Sequence, residues 1–309
     1  MKIFLTKLNE SWIVDKVRNE FLDNYPEFTT NKINKADIVW VVAPWLFPKL
    51  NLKKLNNKKV ISSIYHLDES KNFEDVNNFK KYDKYVDEYH TISLKSKEQI
   101  KKFTDKKITQ IPFWVNTQNF FSISNSLDLR EKYGFDKHDF LIGSFQRDSE
   151  GIDKSKPKLI KGPDIFIEII KKFYIKNPNL KIVLTGKRRN YIINNLELLG
   201  IRYKYFEMVS IKELNELYNI LDLYIVSSRL EGGPQAVLEC ATTLTPIVSS
   251  NVGVSEQILS QESIFDYKNI NTFFNAKPNV EHAKDKVKNF ETPKGFSPFI
   301  DMLAGLYES

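Results

Sequence analysis

The chain has 309 residues, 41% of them hydrophobic and 13% aromatic, which suits two folded domains and excludes a disordered chain. The formal net charge of +7, from 46 basic and 39 acidic side chains, fits an anionic partner such as nucleic acid, a phosphate-bearing ligand or a membrane surface, and equally a Lys-rich solvated surface. The single cysteine, Cys240, excludes an internal disulfide and a multi-cysteine zinc site, and points to a reducing compartment.

The opening stretch "MKIFLTKLNESW" has an apolar run too short for a signal peptide or a membrane span, and no later segment approaches spanning length. A soluble or peripheral cytoplasmic protein is therefore expected. Short β-branched or aromatic runs follow: "KIFLT", "ADIVWVVA" from Ala36, "KVISSIY" from Lys59, "EYHTIS" from Glu88 and "KITQIP" from Lys107. Amphipathic segments such as "SLKSKEQIKKF" from Ser93 lie between several of them. This alternation predicts βαβ units and a mostly parallel sheet. The Ser/Asn-rich stretch from Asn119 to Lys132 reads as a linker, which places a first α/β domain over 1–119.

The pattern restarts with the strand "DFLIGSFQR" from Asp139, the helix "GPDIFIEIIKKFYIK" from Gly162 and the buried strand "LKIVLTG" ending at Gly186. The helix from Ile211 has Ser210 and Glu213 in capping-box spacing. The strand "LDLYIVSS", the helix "PQAVLECATTL" with Pro234 in its first turn, and the strand "TPIVSS" complete a second doubly wound α/β domain over 120–295. The charged segment "FNAKPNVEHAKDKVKNFETPKG" reads as surface helix or loop. The tail 296–309 has helical apolar spacing and is a candidate to pack back on the first domain.

The segment "SSRLEGGPQAVLE" runs strand, glycine turn, helix. Such a junction offers unsatisfied N–H groups and a positive dipole end to an anion. Gly232 and Gly233 let phosphates approach the backbone. Glu231 would repel a phosphate, so its place makes sense against a neutral polyol attached to one. Glu239, eight positions on, could accept two hydroxyl hydrogen bonds, as acidic residues do from a ribose.

At these residues the sequence resembles retaining glycosyltransferases of GT-B fold, in particular the group 1 (family 4) glycosyltransferases, whose Glu-x7-Glu motif matches Glu231 and Glu239. "GSFQR...KLIKGPDIFIEII" resembles the family's strand–Arg–Lys-Gly–helix segment, and "TPIVSSNVGVSEQIL" its next strand and glycine turn, with Gly253 and Glu256 retained. The resemblance implies two Rossmann-like doubly wound domains facing an interdomain cleft. It implies catalytic roles for Glu231, Arg147 and Lys161, and donor contacts from Glu239, Gly232, Gly233, Pro234 and Lys187. His66, after a strand of the first domain, is expected to face the cleft and contact sugar or acceptor; a packed loop histidine is its other reading. Lys187 and Arg188 either add to the phosphate field or solvate a turn. Two departures stand out. "LTKLNESW" lacks the family's Gly-Gly, and Thr245 stands where the family usually has glycine.

The implied reaction is transfer of a sugar from a UDP- or GDP-linked donor to a hydroxyl of a glycan, lipid or other acceptor. It proceeds with retained configuration by front-face attack, without metal or other cofactor. Peripheral membrane contact through "KSKEQIKKFTDKK" is part of this reading, and nucleic acid is not a partner, since no RNP, zinc or helix-turn-helix signature occurs. Two other classes remain open: a GT-B-type sugar-nucleotide epimerase, and a non-enzymatic basic protein that binds nucleotides or polyanions.

Overall fold

The structure is a computed structural model and describes residues 1–8, 13–67, 74–151 and 155–309. Residues 9–12 of "LTKLNESW" lie outside the described residues. The chain divides into two compact units: residues 1–113 with 293–309, and residues 114–292.

The first unit carries strands β1 (Ile3–Leu5), β2 (Ile38–Val41), β3 (Lys59–Ile64), β4 (Glu88–Thr91) and β5 (Lys107–Gln110), with helices α1 (Ile13–Asn24), α2 (Glu74–Asp83) and α3 (Leu94–Ile100) between them. The sheet is parallel and its strands lie in chain order, β1-β2-β3-β4-β5. Strands β2 and β4 are buried throughout, as expected where both faces of a parallel sheet are covered. The final helix, which spans Ser297–Glu308, belongs to this unit. Its Phe299 stacks on Trp40 and Phe113, with ring centroids at 5.5 and 5.8 Å.

His90 sits in this core. Trp40 Nε1 donates to Ser63 Oγ at 2.8 Å, Ser63 Oγ lies 2.8 Å from His90 Nδ1, and His90 Nε2 lies 2.8 Å from the Ile111 carbonyl. A carbonyl only accepts, so Nε2 carries the proton and Nδ1 accepts from Ser63. Burial disfavours the imidazolium and pushes the pKa down to about 4, against the opposing pull of the Ile111 carbonyl.

The second unit opens with α4 (Ser126–Lys132) and continues through β6 (Phe140–Ser144), the short hairpin β7 (Ser149–Glu150) and β8 (Lys156–Pro157), α5 (Pro163–Lys176), β9 (Leu180–Thr185), α6 (Asn190–Leu198) and β10 (Tyr203–Phe206). It closes with α7 (Ile211–Asn219), β11 (Leu223–Val226), α8 (Gln235–Thr243), β12 (Ile247–Ser250), α9 (Ser255–Ile258), β13 (Ile264–Phe265) and α10 (Val280–Val287). The last helix of the chain is α11 (Ser297–Glu308). Six parallel strands run in the order β10-β9-β6-β11-β12-β13. From β6 the chain proceeds outward to β9 and β10, then returns to pair β11 on the other side. This reversal is the point at which ligands bind in such sheets. Helix α5 buries Ile165, Phe166, Ile169 and Ile170 against Ile182, Leu184 and Ile225 of the sheet.

The stretch 119–132, expected as a linker, is instead part of this unit. Phe121 N donates to Asn215 Oδ1 at 3.0 Å and Ile123 N to Asn219 Oδ1 at 2.7 Å. The buried Arg130 donates to the Ile220 carbonyl at 2.8 Å and pairs with Asp222 at 2.7 Å. Polar composition here serves hydrogen bonds to neighbouring chain segments, which composition alone cannot distinguish from solvation. The chain consequently passes from the first unit to the second between Phe113 and Trp114, and returns between Thr292 and Pro293.

Candidate functional site

The loops leaving β6 and β11 lie side by side at the reversal. Gln146 Nε2 donates to the Lys161 carbonyl at 2.9 Å. Ser228 Oγ stands 3.2 Å from both Gln146 Oε1 and Glu231 Oε1. Lys161 Nζ forms an ion pair with Glu231 Oε1, the two side chains being 18% and 11% exposed. Lys161 and Glu231, 70 positions apart in sequence, are therefore in contact on one surface.

Backbone contacts hold this pair in place. Arg229 N and Leu230 N donate to the Ile160 carbonyl at 2.8 and 3.1 Å. The Arg229 guanidinium forks onto Asp164 at 2.7 and 2.6 Å. Burial alone would raise the Asp164 carboxyl, but the hydrogen bonds and charge of Arg229 outweigh it and hold the group below its usual range. Gly162 joins Lys161 to α5 at φ +61°, where a Cβ would stand 1.8 Å from the Ser227 carbonyl oxygen. Only glycine allows that approach.

The Gly232–Gly233–Pro234 turn packs on Gly253, whose φ is +53°; a Cβ there would lie 2.8 Å from Gly232 O and 2.9 Å from Pro234 Cδ. Pro234 is the N-cap residue of α8, one position earlier than its expected place in the first turn. The first N–H groups of α8 therefore open beside the glycines. On the next turn Glu239 is buried, and its Oε2 accepts from Tyr218 Oη at 2.8 Å. The Tyr218 ring packs 4.9 Å from that of Phe145, two residues before Arg147. Burial first, and the Glu239 charge second, push the Tyr218 hydroxyl well above its ordinary value, so it stays a donor to the carboxylate. Burial and the same charge raise the Cys240 thiol, which leaves it protonated and inert.

Arg147 Nε donates to the Ser149 carbonyl at 3.2 Å. Its loop is anchored by residues that motif reading passed over. Arg189 is fully buried; it donates to Asp148 Oδ2 at 2.5 Å, to the Thr185 carbonyl at 2.8 Å and to Ser144 Oγ at 3.2 Å. Asp148 also accepts from Ser149 Oγ at 2.5 Å. The signal in the sequence was an aspartate directly after Arg147 and a basic triplet at the end of β9, of which only the third member turns inward. Lys187 is exposed at that turn and makes none of the contacts that join Gln146, Lys161 and Glu231. Arg188 adopts φ +63° and receives Asp148 N and Ser149 N on its carbonyl at 3.2 and 3.1 Å. His66 belongs to the first unit, directly after β3.

Thr245 has a packing role. Leu244 takes the left-handed conformation that ends α8, and Thr245 Oγ1 donates to the Tyr218 carbonyl at 2.9 Å. Among the described residues, no three His, Cys, Asp or Glu side chains cluster as a metal site, and no helix is long and apolar enough to cross a membrane.

Solved structures share this architecture. Anabaena HepE in complex with UDP-glucose matches with a TM-score of 0.78 at 12% identity, over 98% of this chain and 99% of that one. The lipopolysaccharide outer core galactosyltransferase WaaB in its apo form matches with a TM-score of 0.68 at 13% identity, over 99% of each chain. The likeness is one of fold, and the fold is GT-B, with two Rossmann-like domains. Residues 156–295 match the family model described as Glycosyl transferases group 1. In Escherichia coli, the UDP-Gal:alpha-D-GlcNAc-diphosphoundecaprenol alpha-1,3-galactosyltransferase is 28% identical over 200 residues, covering 59% of this chain. The match takes in 47% of that protein, so the chain spans about half the length of this curated relative. The similarity to the group 1 glycosyltransferases thus lies mostly in the second unit, from β8 onward.

Proposed function

We propose that the protein transfers a sugar from a nucleoside-diphosphate donor to an acceptor hydroxyl, with retention of configuration and without metal. The observation that carries this reading is the Lys161–Glu231 pair beside the Gly232–Gly233 turn and the N-terminus of α8. Here a cation, amide donors and a carboxylate share one strand-end surface. Arg147, Lys161 and the α8 dipole take up the negative charge that builds on the diphosphate as the glycosidic bond breaks. Removing one such group typically raises the barrier by ~3–4 kcal/mol. The departing phosphate oxygen assists deprotonation of the acceptor, which attacks on the same face. Glu231 orients the sugar hydroxyls, and Glu239 accepts from the ribose through the carboxylate that Tyr218 already orients.

UDP is the first carrier to test, because HepE is solved with UDP-glucose and the Escherichia coli relative is named for UDP-Gal. A glycan or lipid-linked hydroxyl is the proposed acceptor, with His66 on its side of the reaction. The Lys-rich stretch from Lys95 to Lys107 would serve peripheral contact with an anionic membrane. Ligand bound to the native state must raise the melting temperature. UDP and UDP-sugars should therefore stabilise the protein; no shift with millimolar UDP or GDP overturns the proposal.

A further inference from the structure

We infer that Glu231 is a built-in competitor for the donor's diphosphate, so that the site holds a sugar nucleotide in preference to the bare nucleoside diphosphate. The inference rests on the donor-site reading above and adds a discrimination step to it.

In the structure the Lys161 ammonium is already paired with Glu231 Oε1. Both side chains are largely withdrawn from water, at 18% and 11% exposure, so the pair is not a freely exchanging surface contact. The same Oε1 has Ser228 Oγ at 3.2 Å, but that hydroxyl carries one proton and also faces Gln146 Oε1 at 3.2 Å. Ser228 therefore cannot serve both acceptors at once. A phosphate that takes Lys161 removes the strongest partner of Glu231 and sets a second anion beside the carboxylate. The backbone gives no easy escape: Gly162 and the Arg229 contacts to Ile160 hold the Lys161 loop against the Glu231 loop.

What restores the balance is a neutral donor of hydrogen bonds carried on the phosphate itself. Sugar hydroxyls supply this; a bare diphosphate does not. With sugar present, Glu231 exchanges an ammonium for hydroxyls. Once the sugar has left, Glu231 competes for Lys161 again and favours departure of the spent diphosphate. One carboxylate thus selects the charged donor and helps clear the product.

Isothermal titration of the full chain with UDP tests this. Glu231→Gln keeps the side chain's shape and removes its charge, so it should bind UDP more tightly than the parent, on the order of tenfold. Lys161→Met should bind UDP more weakly. In the Lys161→Met background the added Glu231→Gln change should give no comparable gain, because the competition is for Lys161. Circular dichroism of each variant establishes that it is folded before titration. If Lys161→Met weakens UDP binding while Glu231→Gln leaves it unchanged or weaker, the competitor role is overturned and the donor site stands. If neither UDP nor GDP binds to any of the four proteins, the donor reading itself falls, and this inference with it.

Discussion

Arg189 Nε lies 2.5 Å from Asp148 Oδ2, and neither side chain reaches water. The guanidinium ties the end of β9 to the end of β6, with Arg147 in the adjoining position. Breaking one side of a buried pair leaves a bare charge and costs about 3–5 kcal/mol, whereas replacing both by apolar groups is often neutral. Arg189→Met should therefore lower the urea unfolding free energy by about that amount. The double change Arg189→Met with Asp148→Leu should recover most of it. A single variant as stable as the parent would show that the pair holds nothing in place.

Gly162→Ala is the sharpest steric test. The added Cβ would meet the Ser227 carbonyl oxygen at 1.8 Å on a residue at φ +61°. The loops bearing Lys161 and Glu231 would have to part. A loss of roughly 2 kcal/mol or more is expected, from strain and displaced contacts. UDP affinity should fall with it, read by calorimetry on the folded fraction.

Affinity for the two halves of a nucleotide should separate by residue. Arg147→Ala should weaken UDP by roughly 2–3 kcal/mol and leave uridine unaffected, since it acts on charge. Glu239→Ala should weaken uridine itself, even with no phosphate present. Uridine binding that is indifferent to Glu239 would remove that residue from the nucleoside site.

The neutral His90 makes the first unit sensitive to acid. Its folded pKa of about 4 lies below the ordinary value of 6.5, so the unfolded chain binds the extra proton first. Its contribution to stability is thus present at neutral pH and above, and is lost as pH falls from about 6.5 toward 4. At about 1.4 kcal/mol per pH unit, the loss reaches roughly 3 kcal/mol by pH 4. Urea midpoints across this range should show the fall, and the His90 ring should remain neutral by NMR until near pH 4. Titration near 6.5 would contradict the buried network.

Much of this was legible in linear order. Parallel-sheet strands such as β2 and β11 are continuous apolar runs because both faces are covered, and that reads directly. The Ser210–Glu213 capping box forms as its spacing predicts, since a cap involves only local backbone: Ser210 N donates to Glu213 Oε2 at 2.8 Å. Family spacing names Glu231, Glu239, Arg147 and Lys161, and of these the structure brings Lys161 and Glu231 into contact.

What the linear order could not carry was direction. Of Lys187, Arg188 and Arg189, identical in charge, one is exposed, one bends the backbone and one is wholly buried. The Ser/Asn-rich stretch looked solvated, yet its amides are held by Asn215 and Asn219, more than 90 positions away. The class of fold could be read from linear order, because periodicity and capping are local properties of the chain. That Lys161 meets Glu231 and Arg189 meets Asp148 emerges first in the folded chain, because those pairings depend on which strand ends the sheet reversal brings together.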